Sequence, residues 1–187
     1  VAYQRVLDAL GVFSMDLGDY GAARSYYERA LAGIEGALES ATIDFIEAHD
    51  LFLGPENAEG IIAQYDIVAD CTDDGHARRL IDKVCADYGV TLVSGAVHGK
   101  QGQVIVLHAG DVNEQLSLSD IFNGRLGEEQ DGCDMRQVPM HVLDEVAKRM
   151  AWRVREVLSA VPVTNGRIEQ YDGDVRAWLT IEPPVVP

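Results

Sequence analysis

Apolar and polar positions follow several distinct rhythms along this chain. Near the start, Val6, Leu7, Leu10 and Phe13 recur at helical spacing, Leu17, Gly18, Asp19 and Tyr20 make a turn, and a second helical pattern runs from about residue 21 to 38. Residues 43–49 (IDFIEAH) alternate apolar and polar, the mark of a half-buried strand. A loop over 51–55 leads into a short helix from about Glu56 to Gln64, with Ile61 and Ile62 on its buried side. The centre of the chain is a strand–helix–strand unit. An apolar run over 67–69 ends in an acidic turn (Asp70, Thr72, Asp73, Asp74, Gly75), a helical pattern follows, and a second apolar run over 91–93 ends in Ser94, Gly95 and Ala96. Turns at the carboxyl ends of neighbouring strands are where open α/β sheets bind their ligands.

Beyond this unit, residues 103–107 predict another strand, with Gly102 marking the bend into it. Residues 109–137 are polar, with loop chemistry and one short helix at 118–122. A long helix is predicted from about residue 140 to 160, started by Pro139; Val142, Val146, Met150, Val154 and Val157 form its apolar stripe, and Lys148, Arg149, Arg153 and Arg155 populate much of the other side. Two short strands (167–171 and 177–181) close the pattern as a hairpin around Asp172, Gly173 and Asp174. The fold class is therefore α/β: a partial Rossmann-like mixed sheet of about four to six strands with flanking helices, preceded by an N-terminal helical hairpin.

Composition narrows the partners. The 187 residues suit one domain, or one domain with an appendage. Acids outnumber bases 31 to 15, for a formal charge of −16. That balance disfavours nucleic acid and anionic membrane surfaces, which require clustered Lys and Arg, and favours a solvated acidic surface or a basic protein partner. No apolar run approaches the ~20 residues of a membrane span. The chain opens on Val1 with no basic-then-apolar leader, and Val in place of Met predicts a chain processed or cut from a longer one. Three widely spaced cysteines (Cys71, Cys85, Cys133) without CxxC predict reduced thiols in a cytoplasmic protein.

Two resemblances follow from these residues. The first hairpin resembles one tetratricopeptide repeat, with Leu7, Leu10, Gly11, Ala23, Tyr27, Ala30 and Leu31 in the signature positions and Ser14 where a large aromatic is usual. A single copy cannot bury both its faces and must pack on something else, so it is equally a helical hairpin that covers a sheet. The run Tyr65-Asp66, Ile67-Val68-Ala69, Asp70-Cys71-Thr72-Asp73, then a helix, then Leu92-Val93-Ser94-Gly95-Ala96, resembles the ThiF/MoeB/HesA family of adenylating enzymes related to ubiquitin-activating enzymes. Residues 48–66 and the closing helix and hairpin are also similar to it. The domain organisation this implies is a tetratricopeptide-like hairpin over 1–42 and a truncated ThiF-like α/β domain over 43–187.

The resemblance implies ATP and Mg²⁺ as cofactors and adenylation of the C-terminal glycine of a small ubiquitin-like or sulfur-carrier protein; a homodimer is compatible with it. It assigns Asp73 to the metal and the phosphates. Asp74 stands where the family commonly has Asn, and either adds to a cofactor-binding pair or repels a nucleotide. On residue chemistry alone both acids are an N-cap for the helix beginning near His76. Cys133, in a polar loop, matches the downstream cysteine that some relatives use for thioester or persulfide chemistry, and is otherwise a free surface thiol. Cys71 and Cys85 fall on apolar faces as small core residues. The five histidines show no metal-ligand spacing, although His98 and His108 could meet across a hairpin, and paired CxxC zinc motifs are absent.

One motif is missing. No GxGxxG phosphate loop occurs in residues 1–60. A glycine-rich turn (Gly95, Gly99, Gly102 with Lys100) is the available substitute. Three functions remain: a ThiF-type adenylyltransferase, catalytically incomplete without that loop; a non-catalytic module that binds protein through its acidic surface and helical hairpin; or a recombined or generated chain, joined near residues 38–43, with no inherited activity.

Overall fold

The computed structural model describes residues 6–8, 51–110, 116–122, 124 and 138–183. Among them six strands form one mixed sheet in chain order: β1 (Val6–Asp8), β2 (Ile67–Asp70), β3 (Thr91–His98), β4 (Gln101–Leu107), β5 (Ile168–Asp172) and β6 (Ala177–Ile181). The helices are α1 (Ala58–Ile62), α2 (Gly75–Tyr88), α3 (Leu118–Ile121) and α4 (Met140–Leu158). β1, β2 and β3 run parallel, and β4, β5 and β6 follow antiparallel. The connection from β2 to β3 crosses through α2, as a parallel pair requires, whereas β3–β4 and β5–β6 are hairpins.

The α/β class, the flanking helices and the mixed sheet agree with the pattern of apolar positions. Residues of β2 and β4 are buried on both faces, so each reads as a continuous apolar run instead of an alternation. One face of the sheet presents Val68, Leu92, Ile105 and Leu107 to Ala58 and Ile62 of α1, Ile81, Val84 and Cys85 of α2, and Leu118. The other presents Ile67, Ala69, Val93, Val104 and Val106 to Val146 and Met150 of α4. Val142 continues the α4 stripe onto Tyr171 and Trp178 of the last hairpin. Burying one such side chain contributes roughly 1.5–3 kcal/mol, so these two layers hold the sheet edge to edge.

Three expectations are corrected. Val6–Asp8 form a strand registered on Ile67–Ala69, where the spacing predicts the start of a helix. Three apolar-rich residues carry too little period to choose, and pairing satisfies backbone groups along the otherwise open edge of β2. The rest of the helical hairpin at 4–38 and the predicted strand at 43–49 lie outside the described residues.

Second, Ser94, Gly95 and Ala96 are not a turn. β3 runs through them to His98, because β4 pairs antiparallel with all of Leu92–His98. Third, Gly102 lies inside β4, opposite Val97; the bend is at Gly99 and Lys100, where Gly99 adopts φ 54°. His98 and His108 consequently sit at opposite ends of β4 and do not meet.

Pro139 precedes α4 as predicted, and its carbonyl accepts from Val142 N at 2.9 Å. No helix among the described residues is long and apolar enough to cross a membrane.

Candidate functional site

The acidic turn emerges where β2 stops and β3 continues. Asp70, the last residue of β2, is registered with Ser94; Gly95 and Ala96 then extend past the end of β2. Asp70 is fully buried, and its carboxylate is the hub of the turn. Oδ1 accepts from Thr72 N at 2.9 Å and from Thr72 Oγ1 at 2.7 Å, and Oδ2 accepts from Ser94 Oγ at 2.9 Å. Arg78, in the first turns of α2, brings its Nε to 3.5 Å from the same Oδ2. Its Nη2 donates to the Thr72 carbonyl and, at 2.9 Å, to the Gly95 carbonyl. A buried charge is tolerated only when paired and hydrogen-bonded, and Asp70 is both.

Held in this way, the turn presents its next two acids differently. Asp74 is the N-cap of α2: its carboxylate accepts from His76 N at 2.9 Å and Ala77 N at 3.3 Å. Asp74→Ala is expected to lower stability by about 1 kcal/mol in urea denaturation, the usual cost of losing such a cap. Asp73 is exposed and makes no hydrogen bond or ion pair with another described residue. It stands just past the carboxyl end of a parallel strand, with its carboxylate uncommitted among the described residues.

Cys133 lies outside the described residues. Cys71 is half-buried with its Sγ 3.6 Å from Met150 Sδ, and Cys85 is fully buried. Burial first, then the charges of Asp82 and Asp70, push the Cys85 thiol far above its usual range, so it packs as a small apolar group. No three His, Cys, Asp or Glu among the described residues are grouped to hold a metal ion.

Two buried polar clusters lie away from the turn. His108 Nε2 is 2.8 Å from Asp82 Oδ1, and Asp82 Oδ2 accepts from Leu118 N at 3.0 Å, so α2 is tied to the end of β4 and to α3. On the opposite face, Glu169 of β5, only 4% exposed, accepts from Arg149 Nη1 and Arg153 Nε, each at 2.6 Å. Arg149 also lies over the Trp178 ring at 4.4 Å. The hydrogen bond that Arg153 donates to Glu169 is the largest influence raising the Arg153 pKa above its already high value. Two of the four basic residues expected on the outer side of α4 thus turn inward to a buried acid.

The acidic turn with Asp73 is legible in the sequence; the contacts that hold the turn, from the Ser94 hydroxyl and from Arg78, are not. The available signal was the eight-residue step from Asp70 to Arg78, which carries a basic side chain from the strand end back over the start of α2.

Parallel strands leading into a polar turn, an antiparallel extension and helices on both faces define a Rossmann-like α/β protein. The chain belongs to the ThiF family, whose model matches residues 30–184. Among curated proteins, an adenylyltransferase and sulfurtransferase UBA4 of Candida glabrata is 43% identical over 67 residues, which is 36% of this chain and 16% of that protein. An adenylyltransferase and sulfurtransferase MOCS3 of Xenopus laevis is 42% identical over 69 residues, 37% of this chain and 15% of that protein. The matched stretch is therefore a small part of those relatives' length. The crystal structure of PaaA shares the fold, with a TM-score of 0.52 and 11% identity, covering 71% of this chain and 47% of that one.

Proposed function

We propose that this chain is an adenylyltransferase-related protein of ThiF type that acts on a small ubiquitin-like or sulfur-carrier protein, with ATP and Mg²⁺ as cofactors and Asp73 as the metal ligand. The observation that carries the reading is the exposed carboxylate of Asp73, uncommitted among the described residues, in a turn anchored through Asp70 at the end of parallel β2. The 43% identity to an adenylyltransferase and sulfurtransferase supports it.

The residues present fit Mg²⁺. This ion keeps several waters and is held by one or two carboxylates together with substrate phosphates, so a single exposed Asp is enough where a cage of three ligands would not be needed. When bound, the metal would neutralise charge on the ATP phosphates, including the pyrophosphate that a substrate carboxylate would displace from the α-phosphorus. Asp74, committed to the cap, shapes the turn and adds negative potential beside it. In the same reading the protein is cytoplasmic, and Cys133 is the candidate thiol for a later sulfur or thioester step.

One observation favours a second reading. Residues 1–60 hold no GxGxxG, so the backbone cradle for phosphate must come from elsewhere or be lacking, and the chain would then act as a non-catalytic protein-binding module.

Calorimetric titration with ATP and Mg²⁺ tests the two. The expected result is binding at micromolar strength that Asp73→Ala weakens tenfold or more while melting like the wild type, because Asp73 supports no described contact. Equal binding by both proteins would overturn the assignment of Asp73, and no binding by the folded wild type would leave the module reading in its place.

A further inference from the structure

We infer that Arg78 is the positioning residue of this site: it clamps the acidic turn to the projecting end of β3 and so fixes where Asp73 presents its carboxylate. The inference rests on the reading of Asp73 as a metal ligand and adds to it the group through which that ligand is aimed.

Three contacts carry it. The Arg78 guanidinium donates through Nη2 to the Thr72 carbonyl, one residue before Asp73, and to the Gly95 carbonyl at 2.9 Å. Gly95 lies one residue past Ser94, the last position of β3 registered with β2. Arg78 therefore bridges the place where the parallel ladder has ended, beside the Asp70–Ser94 hydrogen bond that also joins the turn to β3. Its Nε faces Asp70 Oδ2 at 3.5 Å, which supplies the counter-charge that a buried carboxylate needs. The side chain is 13% exposed, so the guanidinium is held by packing as well as by its acceptors.

The planar fork matters. One guanidinium can reach two carbonyls and a carboxylate from fixed directions, whereas an ammonium is a point charge on a flexible stem. A Lys at this position would keep the charge beside Asp70 and lose the fixed geometry. Arg78 acts on the backbone that carries Asp73, and a site of this kind requires its ligands held to within roughly 0.5 Å.

The test uses the full chain with ATP and Mg²⁺ as the probe. Arg78→Gln is expected to weaken binding tenfold or more, and Arg78→Lys threefold or more; should the Gln variant not fold, the Lys variant is the one on which binding is read. In the Asp73→Ala background the Arg78 substitution should change affinity less than twofold, since the group it aims is gone. A residue that only stabilised the fold would instead multiply the two losses. Unchanged affinity, or losses that multiply, overturns the inference.

Failure of the wild type to bind ATP and Mg²⁺ would be a failure of the proposed function, and the clamp is then read from amide hydrogen exchange. Exchange at residues 72–75 rising tenfold or more in Arg78→Lys, with α4 amides unchanged, supports it. Unchanged exchange at those residues overturns it.

Discussion

Asp70→Ala is expected to lower the free energy of unfolding by about 3–5 kcal/mol, the cost of removing one partner from a buried, hydrogen-bonded charge pair. The side chain is fully buried and takes three hydrogen bonds, from Thr72 N, Thr72 Oγ1 and Ser94 Oγ, with the Arg78 guanidinium beside it. Alanine would leave the Ser94 hydroxyl, 2% exposed in the wild type, without that acceptor, and a guanidinium without its counter-charge. Each donor orphaned in the interior costs about 1–3 kcal/mol. Asp70→Asn preserves the shape and one acceptor oxygen but not the charge, and should fall between wild type and alanine. Urea denaturation of the three proteins checks this ordering; a loss below about 1 kcal/mol for alanine would mean that the turn re-forms around water.

The second large effect is steric. A Cβ added at Gly102 would stand 2.2 Å from Cγ2 of Val146, so Gly102→Val is expected to destabilise by about 3 kcal/mol, at the upper end of ordinary overpacking. Gly95 appears similar, with its added Cβ 2.1 Å from Met150 Sδ, but methionine is unbranched and can swing aside, whereas valine is confined at χ1 on a helix. Gly95→Ala should therefore cost much less than the distances alone imply. Val146→Ala removes the clashing methyl group. A cycle of Gly102→Val with Val146→Ala should show a coupling of about 1 kcal/mol or more in the direction of rescue, measured by thermal or urea unfolding. Additive losses would show that the strain is relieved by movement of α4 as a whole.

Elements with a long or clean period are legible in the sequence. The α4 stripe of Val142, Val146 and Met150 is buried as its spacing predicts, and the strand–helix–strand unit appears with β2, α2 and β3 in place. What local pattern could not supply was the partner of each strand. Ser94-Gly95-Ala96 has the composition of a turn, yet the antiparallel neighbour β4 keeps it extended. Gly102 reads as a bend because a small residue has two uses, reversal and close approach, and only the position of α4 distinguishes them. Val6–Asp8 were assigned by spacing to a helix and by pairing to a strand.

The site divides in the same way. The acidic turn that carries Asp73 and Asp74 is legible because a short run of acids at a strand end is a local signal. The network around Glu169 was missed because its members come from α4 and β5, and basic residues opposite an apolar stripe ordinarily face water. The Ser94–Asp70 hydrogen bond and the contacts of Arg78 are hidden for the same reason: they arise where β3 meets β2 and α2, and no periodicity within any one element records them.

The last strand has a consequence for how copies of this molecule behave in concentrated solution. β6 is the outermost described strand on its side of the sheet, with Leu179 60% exposed and Val175 69% exposed in the turn before it. Unpaired strand edges of this sort invite end-to-end stacking into fibres. Here the strand is only five residues long, is followed by Glu182 and by Pro183, which has no N–H to donate, and belongs to a chain carrying a formal charge of −16. Mutual repulsion between copies and a short, proline-terminated edge together discourage polymerisation; the repulsion weakens as acid protonates the carboxylates or salt screens them, while the short edge is unaffected.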